Sequence, residues 1–254
     1  ILDGRAGLWC VNIGYGRSEL AEAARHQMQV LPYYNAFFQT AHPPVIELSQ
    51  LLAEVTPERL NHAFFTNSGS ESNDTAVKIV WYYNNALGRT DKKKIISRHR
   101  GYHGVTVAAG SLTGLPPFHK HFDLPLPGVL HTDCPFYYRG VQGAESEEEF
   151  VDRIVGNLEE LILHEGPETI AAFIAEPVMA AGGVIVPPAT YYRKVQAVLD
   201  KYDIAFIDDE VICGFGRTGR PFGADTFDIR PTTMSLAKAI TSAYLPLSAV
   251  VIPE

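Results

Sequence analysis

Seven short apolar segments recur along the 254-residue chain, and they constrain its fold more than any other feature. Each is bounded by polar residues, glycine or proline, and has the length and the β-branched or aromatic character of a buried strand. They span residues 62–66, 94–97, 129–131, 170–175, 204–207, 233–236 and 249–252. The chain is therefore predicted to build a seven-stranded sheet.

The stretches between these segments mostly carry apolar residues at the three- and four-residue spacing of a helix. Residues 45–55, 76–87 and 150–162 are the clearest examples. Strands that alternate with helices favour a mostly parallel sheet with helices on both faces, which is the α/β class. No helical pattern separates residues 233–236 from residues 249–252, which leaves an antiparallel edge strand open there.

Charge and composition argue against several kinds of partner. The chain has 21 Lys and Arg against 29 Asp and Glu, a net charge of −8, and no sustained basic stripe, so we expect neither nucleic acid nor a membrane surface as a partner. A bilayer span needs ~20 uninterrupted apolar residues, and Glu176-Pro177 interrupts the one apolar stretch of that length, residues 169–188. Three cysteines without zinc-site spacing fit a reducing compartment, so we expect a cytoplasmic protein without a metal site.

Unusual polar clusters follow several of the predicted strands, at the end where ligands bind in such a sheet. Residues 67–73 read Asn-Ser-Gly-Ser-Glu-Ser-Asn and lead into a helix. Small residues at a helix N-terminus allow backbone N–H groups to bind a phosphate, although an ordinary capped turn is the simpler explanation of Ser-Gly-Ser alone. The chain contains no Gly-Lys-Ser/Thr phosphate loop.

Three more clusters have both a functional and a plain explanation. Residues 101–104, Gly-Tyr-His-Gly, place an aromatic ring on a loop, where it could stack on a flat ligand or simply pack. Glu176 follows residues 170–175 as a pocket carboxylate or as a surface or capping residue. Lys238 follows residues 233–236 either as a solvated strand end or as an amine that can form a Schiff base.

Three consecutive acids, Asp208, Asp209 and Glu210, end the apolar segment 204–207. They are hard to explain as residues of the hydrophobic core, because buried carboxylates need hydrogen-bond or ionic partners. One explanation is the metal site of an ATPase, and the other is a carboxylate that pairs with a cationic ring nitrogen. Because the chain contains no Gly-Lys-Ser/Thr phosphate loop, the ATPase explanation is disfavoured.

Together and in this order, the motifs resemble those of the class III pyridoxal-phosphate (PLP) aminotransferases of fold type I. The resemblance is carried by NSGSESNDTAVK (67–78), GYHG (101–104), AEPV (175–178), DEVICGFGRTG (209–219) and SLAKAI (235–240). Residues 7–16 and 31–44 resemble the ω-amino acid and amine:pyruvate subgroup. The resemblance implies PLP as cofactor and ping-pong transfer of an amino group from an amine or ω-amino acid to a keto acid such as pyruvate. A PLP aminomutase or decarboxylase, or a truncated fragment without turnover, remains an alternative.

The resemblance also assigns roles to individual residues. Lys238 would hold PLP through a Schiff base and then carry a proton between substrate and cofactor. Asp209 would hydrogen-bond the pyridine nitrogen and keep it protonated, which makes PLP an electron sink. Gly69 and Ser70 would bind the phosphate, and Tyr102 would stack on the ring.

On the other side of the ring, Val211 would pack against the cofactor, and Glu176 would lie on the substrate side. An aromatic substrate pocket would be formed by Trp9, Phe37 and Phe38. Asp208 stands where the family more often has an apolar residue, so the role of Asp209 depends on the register of the motif.

A further implication of the resemblance is that the chain is a fragment. We expect residues 1–44 to be an N-terminal segment that forms part of a small domain, and residues 45–254 to be the large PLP-binding domain. The family's C-terminal small domain, which supplies a substrate-carboxylate arginine and a partner-subunit phosphate contact, is expected to be absent. We therefore expect a homodimer when the protein is complete, and little or no turnover from residues 1–254 alone.

Overall fold

The computed structural model describes residues 2–36 and 38–254, and this part contains a single mixed sheet. Its strands are β1 (His62–Thr66), β2 (Lys94–Arg98), β3 (Val129–Thr132), β4 (Ile170–Ala175), β5 (Ala205–Asp209), β6 (Thr233–Leu236) and β7 (Ser248–Ile252). Their order across the sheet is β1-β7-β6-β5-β4-β2-β3. Each strand coincides with or overlaps one predicted segment, so the prediction of a seven-stranded α/β sheet is confirmed.

The helices fall mostly between the strands, as the apolar spacing predicted. They are α1 (Ala6–Trp9), α2 (Ser18–Val30), α3 (Pro43–Val55), α4 (Gly69–Ala86), α5 (Val107–Leu112), α6 (Tyr137–Gly140), α7 (Glu147–Glu165), α8 (Tyr191–Lys201) and α9 (Gly223–Phe227). Single 3₁₀ turns occupy Pro116–Phe118, Pro167–Thr169 and Lys238–Ile240. None of the helices in the described ranges has the length and apolar character that a bilayer span requires.

The last strand, β7, runs antiparallel to both of its neighbours, whereas the remaining strand pairs are parallel. The expected antiparallel direction is therefore confirmed, but the expected edge position is wrong, because β7 lies between β1 and β6. Burial explains the difference. Ala249, Val250 and Val251 are fully buried, as in an internal strand, while β1 exposes His62 and Phe64 at the edge.

Helices cover both faces of the sheet. Phe150 of α7 and Tyr192 of α8 share one apolar cluster with Phe173 of β4. Val77 of α4 shares a second cluster with Ile174, the next residue of β4. Successive residues of a strand point to opposite faces, so these two adjacent side chains belong to the two halves of the core.

Residues 2–36 and 38–44 lie outside these two core layers and include α1 and α2, neither of which contains a buried residue. The helix α3 follows, beginning at the two prolines Pro43 and Pro44 and burying Leu52. The domain division at residue 44 stays a prediction. All strands except β7 run in one direction, so their carboxyl ends lie at one edge of the sheet. The loops that follow these strands therefore meet at that edge.

Candidate active site

A cleft of about 420 Å³ opens at the carboxyl edge of the sheet. Most of the predicted site residues line it, although they come from five separate strand ends. They are Gly69, Ser70, Tyr102, Glu176, Asp209, Val211 and Lys238. The parallel strands bring these side chains together, as the positions of the motifs predicted.

Asp209 is the last residue of β5, and its carboxylate is bound by three donors. Asn73 Nδ2 and His103 Nδ1 donate to Oδ2 at 2.8 and 2.7 Å, and the Val211 backbone N–H donates to Oδ1 at 3.1 Å. The side chain is only 3% exposed. A carboxylate can accept about four hydrogen bonds, so Asp209 retains one acceptor position on the cleft that it lines.

The neighbouring Asp208 points to the other face of β5 and does not line the cleft. It is fully buried, and neither carboxyl oxygen has a hydrogen-bond partner among the described residues. Burial raises the pKa of Asp208 well above its usual range, and the nearby Glu210 raises it further. Burial also raises the pKa of Glu210, although the Ala224 N–H donates to it at 2.7 Å. This face of the strand therefore favours neutral carboxyl groups.

Glu176 follows β4 and is the second buried carboxyl group that lines the cleft, beside Asp209. The Tyr102 backbone N–H donates to Oε1 at 2.9 Å, whereas Oε2 has no partner among the described residues. Burial raises the pKa of Glu176 to about 7, and the charge of Asp209 contributes in the same direction. Glu176 can therefore hold or release a proton near neutral pH beside Asp209.

The N-terminus of α4 forms a cradle for an anion at one end of the cleft. Ser68 precedes the helix, and its side chain and carbonyl accept the N–H groups of Glu71 and Ser72. The first N–H groups of a helix have no intrahelical acceptor, so those of Gly69 and Ser70 are available to a ligand in the cleft. The partial positive charge at the N-terminus of a helix favours an anion such as phosphate.

The walls of the cleft allow little variation near this cradle. A Cβ atom at Gly69 would lie 3.0 Å from both methyl groups of Val211, so a larger residue would force Val211 to move. On another side, the Tyr102 ring contacts the Phe118 ring edge to face, with 5.4 Å between centroids. The two predicted ring contacts, Tyr102 and Val211, thus both border the cleft.

Lys238 begins the 3₁₀ turn after β6 and is half-buried in the cleft. Its φ of +48° places it in the left-handed region, which non-glycine residues enter only when the surroundings hold them there. No residue in the described ranges forms an ion pair or hydrogen bond with its amine. The amine is therefore available for reaction with a ligand.

The predicted aromatic pocket does not appear among the described lining residues. Trp9 does not line the cleft, although its carbonyl accepts a 3.3 Å hydrogen bond from Arg217 Nη2. Phe38 does not line it either and is 92% exposed. Phe37 lies outside the described residues. The structure thus brings the cofactor-type residues together but not this pocket.

Sequence reasoning gave no role to Asn73 and His103, the two side chains that bind Asp209. Both belong to motifs that were recognised, in residues 67–78 and 101–104. Their residue types and positions were the signal that could have indicated this role. Asn73 lies one helical turn after Gly69, and His103 lies inside the Gly-Tyr-His-Gly loop, residues 101–104. Both are almost fully buried, at 1% and 2% exposure.

No group of three His, Cys, Asp or Glu side chains that could hold a metal ion occurs in the described part of the chain. The three acids at the end of β5 are divided between its two faces and do not converge on one point. The cleft therefore has the chemistry of an anion cradle, a carboxylate and an amine.

Comparison with known proteins agrees with this chemistry. A sequence model described as "Aminotransferase class-III" matches residues 1–254. The chain belongs to the class III aminotransferase family. A solved structure titled "Transaminase with L-ala" superimposes closely on this chain: it is 57% identical with a TM-score of 0.97, over 98% of this chain and 59% of that one. The fold type I class predicted from the motifs is thus confirmed.

Curated relatives belong to the same family. A tomato (Solanum lycopersicum) protein named "Gamma aminobutyrate transaminase 1, mitochondrial" is 58% identical over 100% of this chain and 50% of its own length. A pepper (Capsicum frutescens) protein named "Vanillin aminotransferase" is 55% identical over 100% of this chain and 55% of its own length. The omega transaminase from Pseudomonas jessenii in complex with PMP is 56% identical with a TM-score of 0.97, over 98% of this chain and 55% of that one. This class III chain therefore spans about half the length of the relatives it matches.

Proposed function

We propose that the complete protein uses PLP to transfer an amino group from an amine or ω-amino acid to a keto acid such as pyruvate. One observation carries the proposal: an anion cradle, the carboxylate of Asp209 and the amine of Lys238 border one cleft at the carboxyl edge of the sheet. These are the three groups that a phosphorylated pyridine aldehyde needs, one each for its phosphate, its ring nitrogen and its aldehyde carbon.

The residues present fit this cofactor. The cradle offers the N–H groups of Gly69 and Ser70, and the Ser70 hydroxyl, which accepts the Val105 N–H at 3.1 Å, still has a proton to donate. A side chain at Gly69 would close the space against Val211. Asp209 has accepted three hydrogen bonds and has room for a fourth.

When bound, the cofactor supplies an electron sink for the carbon from which a proton is removed. The protein supplies the rest. Asp209 holds a proton at the ring nitrogen, and its bonds from Asn73 and His103 fix the direction of its free lone pair. Lys238 would hold the cofactor covalently and would move a proton at the reacting carbon of the substrate. Tyr102 and Val211, which both line the cleft, would orient the ring.

The names of the relatives favour transfer over the aminomutase and decarboxylase alternatives, because each is called a transaminase or aminotransferase. One acts by name on γ-aminobutyrate, an ω-amino acid, and one structure is titled with L-alanine, the amino product of pyruvate. We therefore propose an ω-amino acid or a primary amine as donor and pyruvate as acceptor.

Several expectations about the complete protein also stand as proposals. These are a homodimer, a PLP-binding domain in residues 45–254, and residues 1–44 as part of a second domain. The exposed side chains of Tyr33, Phe64 and Tyr82 are consistent with further surface being covered in an assembly. The cytoplasmic location stays a prediction, and the tomato relative is named a mitochondrial protein.

The proposal is tested with the complete gene product, PLP, pyruvate and γ-aminobutyrate. We expect alanine to form, and borohydride to fix the cofactor on Lys238, which mass spectrometry locates on its peptide. Lys238→Ala should abolish both results while leaving the circular dichroism spectrum unchanged. A reduced adduct on Lys78 or Lys120, with Lys238 unmodified, would overturn the assignment.

A further inference from the structure

The loop that carries Lys238 is held in an unusual backbone conformation. Within this lysine loop, residues 238–245, the φ angles of Lys238, Ser242 and Ala243 are +48°, +49° and +63°. A non-glycine residue in the left-handed region costs about 1–2 kcal/mol. Three such residues on one short loop persist only if other contacts hold the loop in place.

The loop's own hydrogen bonds are those of successive tight turns. The N–H groups of Ser242 and Ala243 donate to Ala239 and Lys238 carbonyls at 3.0 and 3.3 Å. Such bonds also form in turns without left-handed residues. They do not by themselves account for this conformation.

The N-terminal segment supplies the remaining contacts. The Ile13 N–H donates to Ser242 Oγ at 3.2 Å, and Ser242 is 3% exposed. The Tyr244 hydroxyl donates to the Gly14 carbonyl at 3.0 Å and accepts the Arg17 N–H at 2.9 Å. Residues 12–17, here called the clasp, therefore bind Ser242 and Tyr244, the residues on either side of the left-handed Ala243 in the C-terminal half of the loop, more than 220 positions away in sequence.

The clasp is also anchored to a second loop beside the cleft. Asn12 Nδ2 donates to the Phe215 carbonyl at 3.0 Å, and Arg217 Nη2 donates to Asn12 Oδ1 at 2.5 Å. Phe215 itself has a φ of +58°. The clasp thus joins the loop that follows Asp209 to the loop that carries Lys238.

We propose that the Tyr244 hydroxyl is a positioning group, through which the clasp holds the lysine loop in its strained conformation and so fixes the place of the Lys238 amine against Asp209. The proposal rests on the proposed function, since it assumes that Lys238 is the residue that binds the cofactor and moves the proton. Tyr244 acts through Lys238 and not on the substrate.

The effect can be estimated from the bonds involved. The Tyr244 hydroxyl makes two hydrogen bonds to backbone groups of the clasp. Each contributes about 0.5–1.5 kcal/mol, so their loss should make opening of the lysine loop roughly tenfold more frequent. Turnover should fall for a separate reason: without these bonds the Lys238 amine shifts in the closed loop as well, and because a misplacement of about 1 Å can cost ~100-fold in rate, a smaller shift should lower kcat by about tenfold.

Tyr244→Phe removes the hydroxyl and keeps the ring that lines the cleft. In the cofactor-free complete protein, we expect amide hydrogen exchange of residues 241–245 to become about tenfold faster. With PLP, we expect kcat per borohydride-fixed Lys238 to fall about tenfold, with the KM for pyruvate unchanged. A loss of folded protein would instead lower the number of fixed sites and leave kcat per site unchanged.

Tyr202→Phe is the matched control. The Tyr202 hydroxyl donates to Glu159 at 2.7 Å between α8 and α7, away from the cleft, so its removal should leave both measurements unchanged. Ala243→Gly supplies a rescue, because glycine adopts a positive φ without strain. Added to Tyr244→Phe, it should restore most of the exchange protection and of kcat.

Two results would overturn the proposal. One is equal exchange and equal kcat in Tyr244→Phe and Tyr202→Phe. The other is a double variant that gains nothing from glycine at position 243, because strain would then not be what the clasp opposes. If the wild-type protein fails to link its cofactor to Lys238, the proposed function itself fails. The exchange measurement on cofactor-free protein still decides whether the clasp holds the loop.

Discussion

Asp208 and Asp209 are adjacent residues of β5, and both are buried, yet their surroundings differ in every respect that matters for chemistry. Asp209 lines the cleft and accepts three hydrogen bonds. Asp208 lies on the other face with both oxygens unpartnered among the described residues, and burial raises its pKa well above the usual range. The alternation of side chains along a strand thus separates a carboxylate that can serve a ligand from one that favours the neutral form.

The comparison shows that a run of acids in a sequence is not one site. What distinguishes its members is the set of donors that reach each carboxyl group from other elements. Asn73 and His103 come from α4 and from the loop after β2, and both donate to Asp209. On the other face no donor reaches Asp208 from the described residues, and the neighbouring carboxyl group of Glu210 raises the pKa of Asp208 beyond the effect of burial.

The largest expected effect comes from exchanging the two acids for amides. Asp209→Asn should lower kcat for alanine formation by at least a factor of about 100, or ~3 kcal/mol of barrier, because a neutral amide does not keep the ring nitrogen protonated. Asp208→Asn, the matched change on the other face, should lower it less than tenfold. Steady-state kinetics of the PLP-loaded complete protein give both values. Equal losses would show that the register of the motif was misassigned.

The sequence alone could predict the division of this chain into strands and helices, because short apolar runs bounded by polar residues are local signals. It could also predict which loops form the site, since parallel strands place their carboxyl ends together. It assigned Asp209 over Asp208 by resemblance to a family motif, and the strand alternation agrees.

What the sequence could not predict depends on contacts between distant residues. The pairing of β7 with β1 put β7 inside the sheet, although it was expected at an edge. The hydrogen bonds of Asn73 and Tyr244 join positions 136 and 230 residues apart, to Asp209 and Gly14. No local pattern encodes such separations, so these roles emerge only from the folded chain.

Glu176 extends the comparison to a carboxyl group that accepts one hydrogen bond. The effect of substituting it should lie between those of substituting Asp209 and Asp208. Burial raises its folded pKa to about 7, above the usual value of 4.5, so the folded protein retains a proton that the unfolded chain has released between these values. The stability that this proton confers is full below pH ~4.5 and is lost as the pH rises through ~7. Glu176→Gln should therefore gain ~3 kcal/mol relative to wild type between pH 5 and 8.

Guanidinium unfolding of the cofactor-free complete protein, at one protein concentration, measures this difference at each pH. Glu159→Gln is a control of opposite sign, because its hydrogen bond to Lys201 lowers the pKa of Glu159. The wild-type advantage over that variant should be present above pH ~4.5 and should shrink as the pH falls below it. A flat difference for Glu176→Gln would mean that Glu176 is ionised throughout and has a partner outside the described contacts.

The smallest expected effect concerns the unpartnered acid itself. Asp208 is fully buried, and on its face of the sheet it is paired in register with Ala175 of β4 and Met234 of β6. An unpartnered polar group in such a place costs about 1–3 kcal/mol, whereas the cavity left by its removal is small. Asp208→Ala should therefore stabilise the cofactor-free protein by about 1 kcal/mol at pH 7, or roughly 2–4 °C in Tm.

Two measurements show whether the stabilisation by Asp208→Ala comes from removing an unpartnered acid: its pH dependence, and a comparison with Asp208→Asn, which has nearly the same shape as Asp208. Because the pKa of Asp208 is raised in the folded protein, wild-type stability from this group falls as the pH rises above ~3.8, so the advantage of Asp208→Ala should grow toward alkaline pH. Asp208→Asn keeps the shape and leaves a buried amide without partners, so it should give no comparable gain at pH 7. If Asp208→Ala instead destabilises the protein by 1 kcal/mol or more, Asp208 is not an unsatisfied group, and the pairing that its surroundings offer is a hydrogen bond from its protonated carboxyl group to Glu210. The two faces of β5 would then differ in the kind of hydrogen bond they make and not in its presence.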